Sequence, residues 1–238
     1  MNLIARLCAL CVLLVAAFAP AGAAAQDLRG DPRAVAAVER MFERFGGRDV
    51  WASARTIHVE YNVWRTEPDE HLIERAWRDM RTPNQRIEMQ SPSAPFVWAF
   101  TPESAWVERG GVARAISAEN HANALGFWPY DFYTMLHRLA AGDEEIELAF
   151  EAPRRVLARS RAGADWGWWE IDANGALLRW GAPDGDDTLE YVYGPVRRFG
   201  PIAFPTWGAA TNGSWRFEYA RIELSDEPID AALLAQPG

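Results

Sequence analysis

The sequence contains no lysine: all 24 of its basic residues are arginine. Schiff-base catalysis and phosphate-binding P-loops both depend on a lysine, so both are excluded. Cysteine is almost as scarce, since the only two cysteines are Cys8 and Cys11. The chain beyond them has no thiol to form a disulfide, and an ordinary hydrophobic core must stabilise it.

Residues 1–25 have the pattern of a secretory signal peptide. One positive charge at Arg6 precedes an apolar run from Leu7 to Phe18, and the small residues 21–25 contain an A-x-A cleavage site. The apolar run is too short to span a bilayer. We therefore expect export, cleavage after Ala25 and no stable membrane span.

The mature chain, residues 26–238, is expected to form a single domain. The formal net charge is −9, and loss of Arg6 with the signal peptide makes it one unit more negative. An excess of negative charge disfavours nucleic acids and anionic membrane surfaces as partners.

The hydrophobic pattern predicts a mainly β (α+β) fold. A helix is predicted over 32–45, where Asp31 precedes Pro32 at the first helical position. From Thr56 onward apolar residues recur at every second position, as in a half-buried strand. Two short helices interrupt the strands over 118–141. The pattern predicts roughly eleven strands, among them a long one over 188–199 that is followed by one over 202–211, and two or three helices.

Three stretches resemble the LolA/LolB-like family of periplasmic proteins, to which lipoprotein carriers belong. They are the helix that ends in residues 44–47 before Trp51, the mid-chain pair of helices, and the closing run 169–205 with its Asn174-Gly175 turn. The resemblance implies a curved antiparallel sheet, or incomplete β-barrel, covered by helices around an apolar cavity. It also implies a periplasmic location. No lipoprotein-binding residue of the family can be matched to a position in this sequence.

Tryptophan is the strongest compositional outlier, with 12 residues. Most of them fall on predicted strands, where flat apolar side chains favour a cavity for an acyl chain or another hydrophobic ligand. Two alternatives stay open: the indoles fill the core between sheet and helices, or they form a sugar-stacking platform. The candidate cavity-lining residues are Trp64, Trp98, Trp106 and Trp215.

Signatures of catalysis, metals and cofactors are absent from the sequence. The histidines lack zinc-site spacing, and no serine lies in a G-x-S-x-G or S-x-x-K motif. Glu170 and Asp172 share one face of a strand and could act as a glycosidase pair, but Asp172 also fits the start of a turn.

These patterns predict a non-enzymatic exported protein that binds a hydrophobic small molecule or lipid, without a cofactor or a metal. The alternative is a cell-envelope protein-interaction or scaffold module with a packed core. A hydrolase that acts on glycans is the third hypothesis.

Overall fold

The structure, a computed structural model, describes residues 27–151, 153–184 and 187–237. The predicted signal peptide and its cleavage site after Ala25 lie outside the described residues. No helix in the described part of the chain combines the length and the apolar character needed to cross a membrane.

Helices make up the smaller part of the fold. In the opening helix, Asp31 accepts a hydrogen bond from the backbone N–H of Arg33 (2.8 Å) and Pro32 takes the first position, as the sequence predicts. One 3₁₀ helix, Trp128–Tyr130, joins the two mid-chain helices. The described α-helices are α1 (Pro32–Arg44), α2 (Arg48–Ser53), α3 (Ala118–Phe127), α4 (Phe132–Ala141) and α5 (Ala231–Leu234).

Strands dominate the structure. The first part of the chain supplies β1 (Thr56–Thr66), β2 (Asp69–Asp79), β3 (Gln85–Gln90), β4 (Phe96–Phe100), β5 (Ala105–Arg109) and β6 (Val112–Ala115). The part after the mid-chain helices supplies β7 (Ile146–Glu151), β8 (Arg155–Ser160), β9 (Asp165–Ile171), β10 (Leu177–Asp184), β11 (Asp187–Tyr193), β12 (Val196–Phe199), β13 (Ile202–Pro205), β14 (Trp207–Ala210) and β15 (Trp215–Ser225).

Thirteen of these strands form one curved antiparallel sheet in the order β6-β5-β4-β3-β2-β1-β15-β14-β11-β10-β9-β8-β7. The edge strands β6 and β7 do not pair with each other, so the sheet is not closed. Between β1 and β15 the register shifts at Glu60 and Tyr61, which leaves Ala220 as an extra residue. A bulge of this kind bends the strand and increases its twist. The mainly β fold with a curved, open sheet is therefore confirmed.

The described residues form 15 strands rather than roughly eleven, and two of the additional strands arise because two predicted strands are each broken. Residues 188–199 separate into β11 and β12 at Gly194-Pro195, and residues 202–211 separate into β13 and β14 at Thr206. Pro195 has no N–H to continue a ladder. A Cβ atom on Gly194 would lie 2.1 Å from Nε1 of Trp207, so the close approach of that indole requires glycine.

The number of helices is also larger than the predicted two or three, because α2 and α5 have only 6 and 4 residues and show no clear period.

The hairpin β12–β13 lies apart from the large sheet and contributes to the core. Its Phe204 is fully buried, with its ring centroid 4.9 Å from that of Phe45 in the α1–α2 connection and 5.5 Å from that of Trp51 in α2. Helix α1 packs on β7, β8 and β9, and α2 packs on α4. Helices α1 to α4 and the hairpin together cover the concave face of the sheet.

Candidate functional site

A cavity of about 270 Å³ lies between the concave face of the sheet and the mid-chain helices. Its wall is formed by strands from both halves of the sheet, and it is closed by what we call the helical cover: α3, the 3₁₀ helix and the start of α4. The lining is mostly aromatic: Tyr61, Trp98, Phe100, Phe127, Trp128, Phe132, Tyr133, Trp180, Tyr191, Tyr193, Trp215, Phe217 and Tyr219.

The strands that form the cavity wall alternate inward-facing and outward-facing side chains. Tyr61 and Val63 of β1 point to the concave face, and their register partners across the ladders point the same way. Tyr61 lies opposite Glu74 of β2 on one side and opposite Tyr219 of β15 on the other. The register therefore places an acidic residue and two phenols at neighbouring positions on the cavity wall.

The helical cover is held mainly at its ends. Helix α3 contributes Ala124 and Phe127 to the lining, yet none of its residues is buried. At its start, Nε2 of His121 donates to the carbonyl oxygen of Thr101 (2.8 Å). At the 3₁₀ helix, Nε1 of Trp128 donates to the carbonyl oxygen of Asp79 (3.1 Å). Few contacts therefore oppose a local displacement of α3.

Three tyrosine hydroxyls form a hydrogen-bonded chain at the wall. The hydroxyl oxygens of Tyr61 and Tyr133 are 2.6 Å apart, and those of Tyr133 and Tyr219 are 3.0 Å apart. Burial raises the pKa of all three phenols above the ordinary value. The hydroxyls therefore stay protonated at neutral pH and can both donate and accept.

Beside this chain lies a group that we call the polar corner: Glu74, Arg78 and Asp131. The Arg78 guanidinium lies 3.9 Å from the Glu74 carboxylate and 3.5 Å from the Asp131 carboxylate. The other oxygen of Asp131 caps α4, accepting from the backbone N–H of Tyr133 (3.0 Å). Both ion pairs are long, so hydrogen-bonding capacity remains in the polar corner.

Burial and charge act differently on the groups of the polar corner. Burial raises the pKa of the Glu74 carboxyl, because desolvation outweighs the attraction of Arg78 and Arg65 for its charged form. Burial lowers the pKa of Arg78, but the charge of Asp131 opposes this effect and the net pKa is raised. Arg78 thus stays cationic, and Glu74 loses its proton at a higher pH than an exposed glutamate would.

Several donors in the lining have no acceptor. Nε of Arg78, Nε1 of Trp98 and Nε1 of Trp180 are buried and without a hydrogen-bond partner among the described residues. Glu74 is 5% exposed and makes no hydrogen bond within the described part of the chain, only the long ion pair with Arg78. Unpaired buried polar groups are costly, and a ligand with a polar head would relieve this cost.

The structure brings two of the four candidate tryptophans to the cavity. Trp98 and Trp215 belong to its lining. Trp64 follows the inward-facing Val63, so it points to the convex face, where it is 38% exposed and stacks on His71 with ring centroids 5.0 Å apart. Ligand binding by Trp98 and Trp215 stays a prediction.

Trp106 lies outside the cavity for a different reason. In the β4–β5 ladder it pairs with Ala99, the neighbour of Trp98, so the two indoles point to opposite faces. Its Nε1 donates to the carbonyl oxygen of Leu234 (2.9 Å), which shows that the C-terminal segment covers this part of the convex face. The burial of Trp106 is therefore due to α5 and not to the cavity.

Some further residues of the site have a recognisable signal in the sequence. Glu74 alternates with Leu72 and Ala76 on the buried face of β2, and an acidic residue in such a position indicates a site. Trp180 lies on a predicted strand, as the candidate cavity-lining tryptophans do. Tyr133 carries no local signal, because its partners come from strands distant in sequence.

The two carboxylates of the hydrolase hypothesis are engaged elsewhere. Glu170 accepts a hydrogen bond from the Arg155 guanidinium (3.0 Å). Asp172 accepts from the backbone N–H groups of Asn174 and Ala176 (both 2.8 Å), as its turn position predicts. Neither residue lines the aromatic cavity.

Replacing Glu74 with glutamine tests the burial of its charge. The pKa of Glu74 is raised in the folded state, so its stabilising contribution is complete below about pH 4.5 and is lost as pH rises above that value. We expect Glu74→Gln to gain stability relative to the native chain as pH increases from 4.5 to 7.5 in urea denaturation experiments. The half-buried His58 and the buried His137, whose pKa values burial lowers, are present in both proteins and cancel in the difference. A difference that does not change with pH would contradict the buried position of the carboxyl.

Neither a protein-family model nor a curated protein matches the chain. Among solved structures, a DUF1329 family protein from Desulfovibrio piger has a TM-score of 0.46 and 8% identity, covering 84% of this chain and 98% of that chain. MucB has a TM-score of 0.30 and 12% identity, covering 87% of this chain but 64% of MucB. The Pseudomonas aeruginosa MucA/MucB complex has a TM-score of 0.31 and 11% identity, covering 83% of this chain and 60% of that chain. None of these similarities assigns a ligand or a partner to this chain, and membership of the LolA/LolB-like family stays a prediction.

Proposed function

We propose that the protein is an exported periplasmic binding protein that holds the apolar part of a lipid-like ligand in the aromatic cavity, without catalysis of its own. The observation that carries this proposal is a cavity of about 270 Å³ with an aromatic lining beneath a helix that buries none of its residues. Small-molecule sites are concave, mostly apolar, and contain a few convergent polar groups. The volume lies just below the range of about 300–1,000 Å³ for such sites.

Occupation of the cavity can be tested with a matched pair of variants on α3. Ala124 lines the cavity, whereas Ala122 on the same helix is exposed. We expect Ala124→Trp to weaken binding of an apolar fluorescent probe at least about tenfold, because displacing two buried methylene groups costs about 1.6 kcal/mol. Ala122→Trp introduces the same side chain outside the cavity and should leave the affinity unchanged.

Two further measurements complete the test. The mature protein, purified from the cell envelope, is extracted with organic solvent and the extract is analysed by mass spectrometry for lipids. Equal probe affinities of both variants and the native chain, or an extract with no lipid, would count against the proposal.

A second candidate function is a protein-interaction module of the cell envelope. The open edge strand β6 favours it, because its residues are largely exposed and Val112 is 53% exposed. An edge strand offers unpaired backbone groups to which a partner strand can bind. An empty lipid extract, together with one co-purified protein that Val112→Asp releases, would favour this function instead.

A further inference from the structure

We propose that the cavity selects an uncharged amphiphile whose head group both donates and accepts hydrogen bonds, such as a long-chain alcohol or another hydroxyl-headed lipid. This inference rests on the proposed function and adds the chemical class of the ligand. It is based on the hydrogen-bonding capacity and the charge balance of the polar corner.

The polar groups of the lining that lack a hydrogen-bond partner need both an acceptor and a donor. Nε of Arg78 and Nε1 of Trp98 need an acceptor. Glu74, which is 5% exposed, lines the cavity opposite Tyr61 and can accept a hydrogen bond. A hydroxyl beside Arg78 and Glu74, whose charged groups lie 3.9 Å apart, can accept from the first and donate to the second, whereas a carboxylate only accepts and an ammonium only donates.

The charges of the lining do not favour a charged head. Arg78 already lies between two carboxylates, 3.9 Å from Glu74 and 3.5 Å from Asp131. A fatty-acid carboxylate that approaches Arg78 would also approach these two acidic groups. Arg65 is outside the lining and lies opposite Glu70 in the β1–β2 ladder, with its guanidinium on the sulfur of Met89. The polar corner therefore has no unbalanced positive charge to offer an anion.

The volume indicates the length of the apolar part. At about 30 Å³ for each water-sized group, 270 Å³ holds about nine such groups. A chain of about eight carbon atoms with a hydroxyl head matches this volume. Octyl compounds are therefore suitable probes of the head-group preference.

Four octyl compounds separate the possible head groups in calorimetric titrations of the mature protein at neutral pH. They are 1-octanol, its methyl ether, octanoate and octylamine. We expect 1-octanol to bind about five- to tenfold more tightly than the methyl ether, because the ether accepts but cannot donate to Glu74. Octanoate and octylamine should bind more weakly than 1-octanol.

Variants of Glu74 assign the preference to this side chain. Glu74→Met keeps a similar size but removes the acceptor, so we expect equal affinities for 1-octanol and the ether. Glu74→Gln keeps an acceptor and should keep the preference. If Glu74→Met does not fold, the comparison of alcohol and ether in the native chain still tests whether a hydrogen bond donated by the head group contributes to binding.

The outcomes distinguish this inference from the proposed function. Tighter binding of octanoate or octylamine, or equal binding of alcohol and ether by the native chain, would overturn the head-group assignment while leaving a lipid-binding cavity. Binding of none of the four compounds, and of no apolar fluorescent probe, would overturn the proposed function itself.

Discussion

Replacing Phe204 with alanine is expected to lower the free energy of unfolding by about 3–5 kcal/mol. Phe204 is fully buried, and its ring packs against rings from four other parts of the chain. Its centroid lies 4.9 Å from that of Phe45, 5.5 Å from that of Trp51 and 5.4 Å from that of Tyr219. Truncation removes these contacts and leaves a void, because helices and sheet both hold the surrounding residues in place. Urea denaturation followed by circular dichroism measures the loss.

The same substitution should also weaken ligand binding. Phe204 supports the lining residues Phe132 and Tyr133, with centroid distances of 5.9 and 6.3 Å. Phe204→Leu fills part of the void and should restore most of the stability. Val112→Ala, at a position that is 53% exposed, should change stability by less than about 0.5 kcal/mol. A loss for Phe204→Ala as small as that for Val112→Ala would show that the hairpin β12–β13 is not part of the core.

The second large effect is expected for Asp79→Ala, at about 2–3 kcal/mol. Asp79 is completely buried, and its carboxylate accepts hydrogen bonds from Nε of Arg55 and from the backbone N–H groups of Arg81 and Thr82, each at 2.9 Å. Alanine would leave all three donors without this acceptor. Thermal or urea unfolding of the purified variant measures the effect.

This prediction has a functional readout, because the β2–β3 turn also holds the helical cover. The carbonyl oxygen of Asp79 accepts the hydrogen bond from Trp128, so a distorted turn should release the 3₁₀ helix from the sheet. Asp69→Ala, at an exposed position of the same strand, serves as the control. Equal stabilities of the two variants would contradict the proposed role of the carboxylate as the cap of the turn.

Local patterns in the sequence predict much of the fold. The cap at Asp31, the proline at position 32 and the period of two from Thr56 onward all have local causes, and each is found in the structure. The breaks at Gly194-Pro195 and Thr206 were missed, because both flanking segments keep strand-forming residues. The short helices α2 and α5 are stabilised by contacts with distant parts of the chain.

The candidate site could be predicted only in part. Aromatic residues on strands indicated an apolar cavity, and Trp98 and Trp215 line one. Alternation along a strand separates its two faces but does not say which face is concave. Trp106 therefore could not be distinguished from the lining residues by sequence, whereas the alternation along β1 already places Trp64 on the polar face. The polar corner depends on the register of β1 with β2 and on the position of α4, which are tertiary properties.

Because α3 is weakly held, the rate at which the cavity opens does not depend on the overall stability of the protein. Because α3 buries none of its side chains, opening it costs little of the free energy that keeps α4 and the sheet folded. A ligand of the proposed kind would then enter and leave at the rate of this local motion, while the global unfolding rate stays low. The length of time that a ligand remains bound would be determined by one helix of 10 residues, and substitutions on its outer surface could tune it without weakening the core.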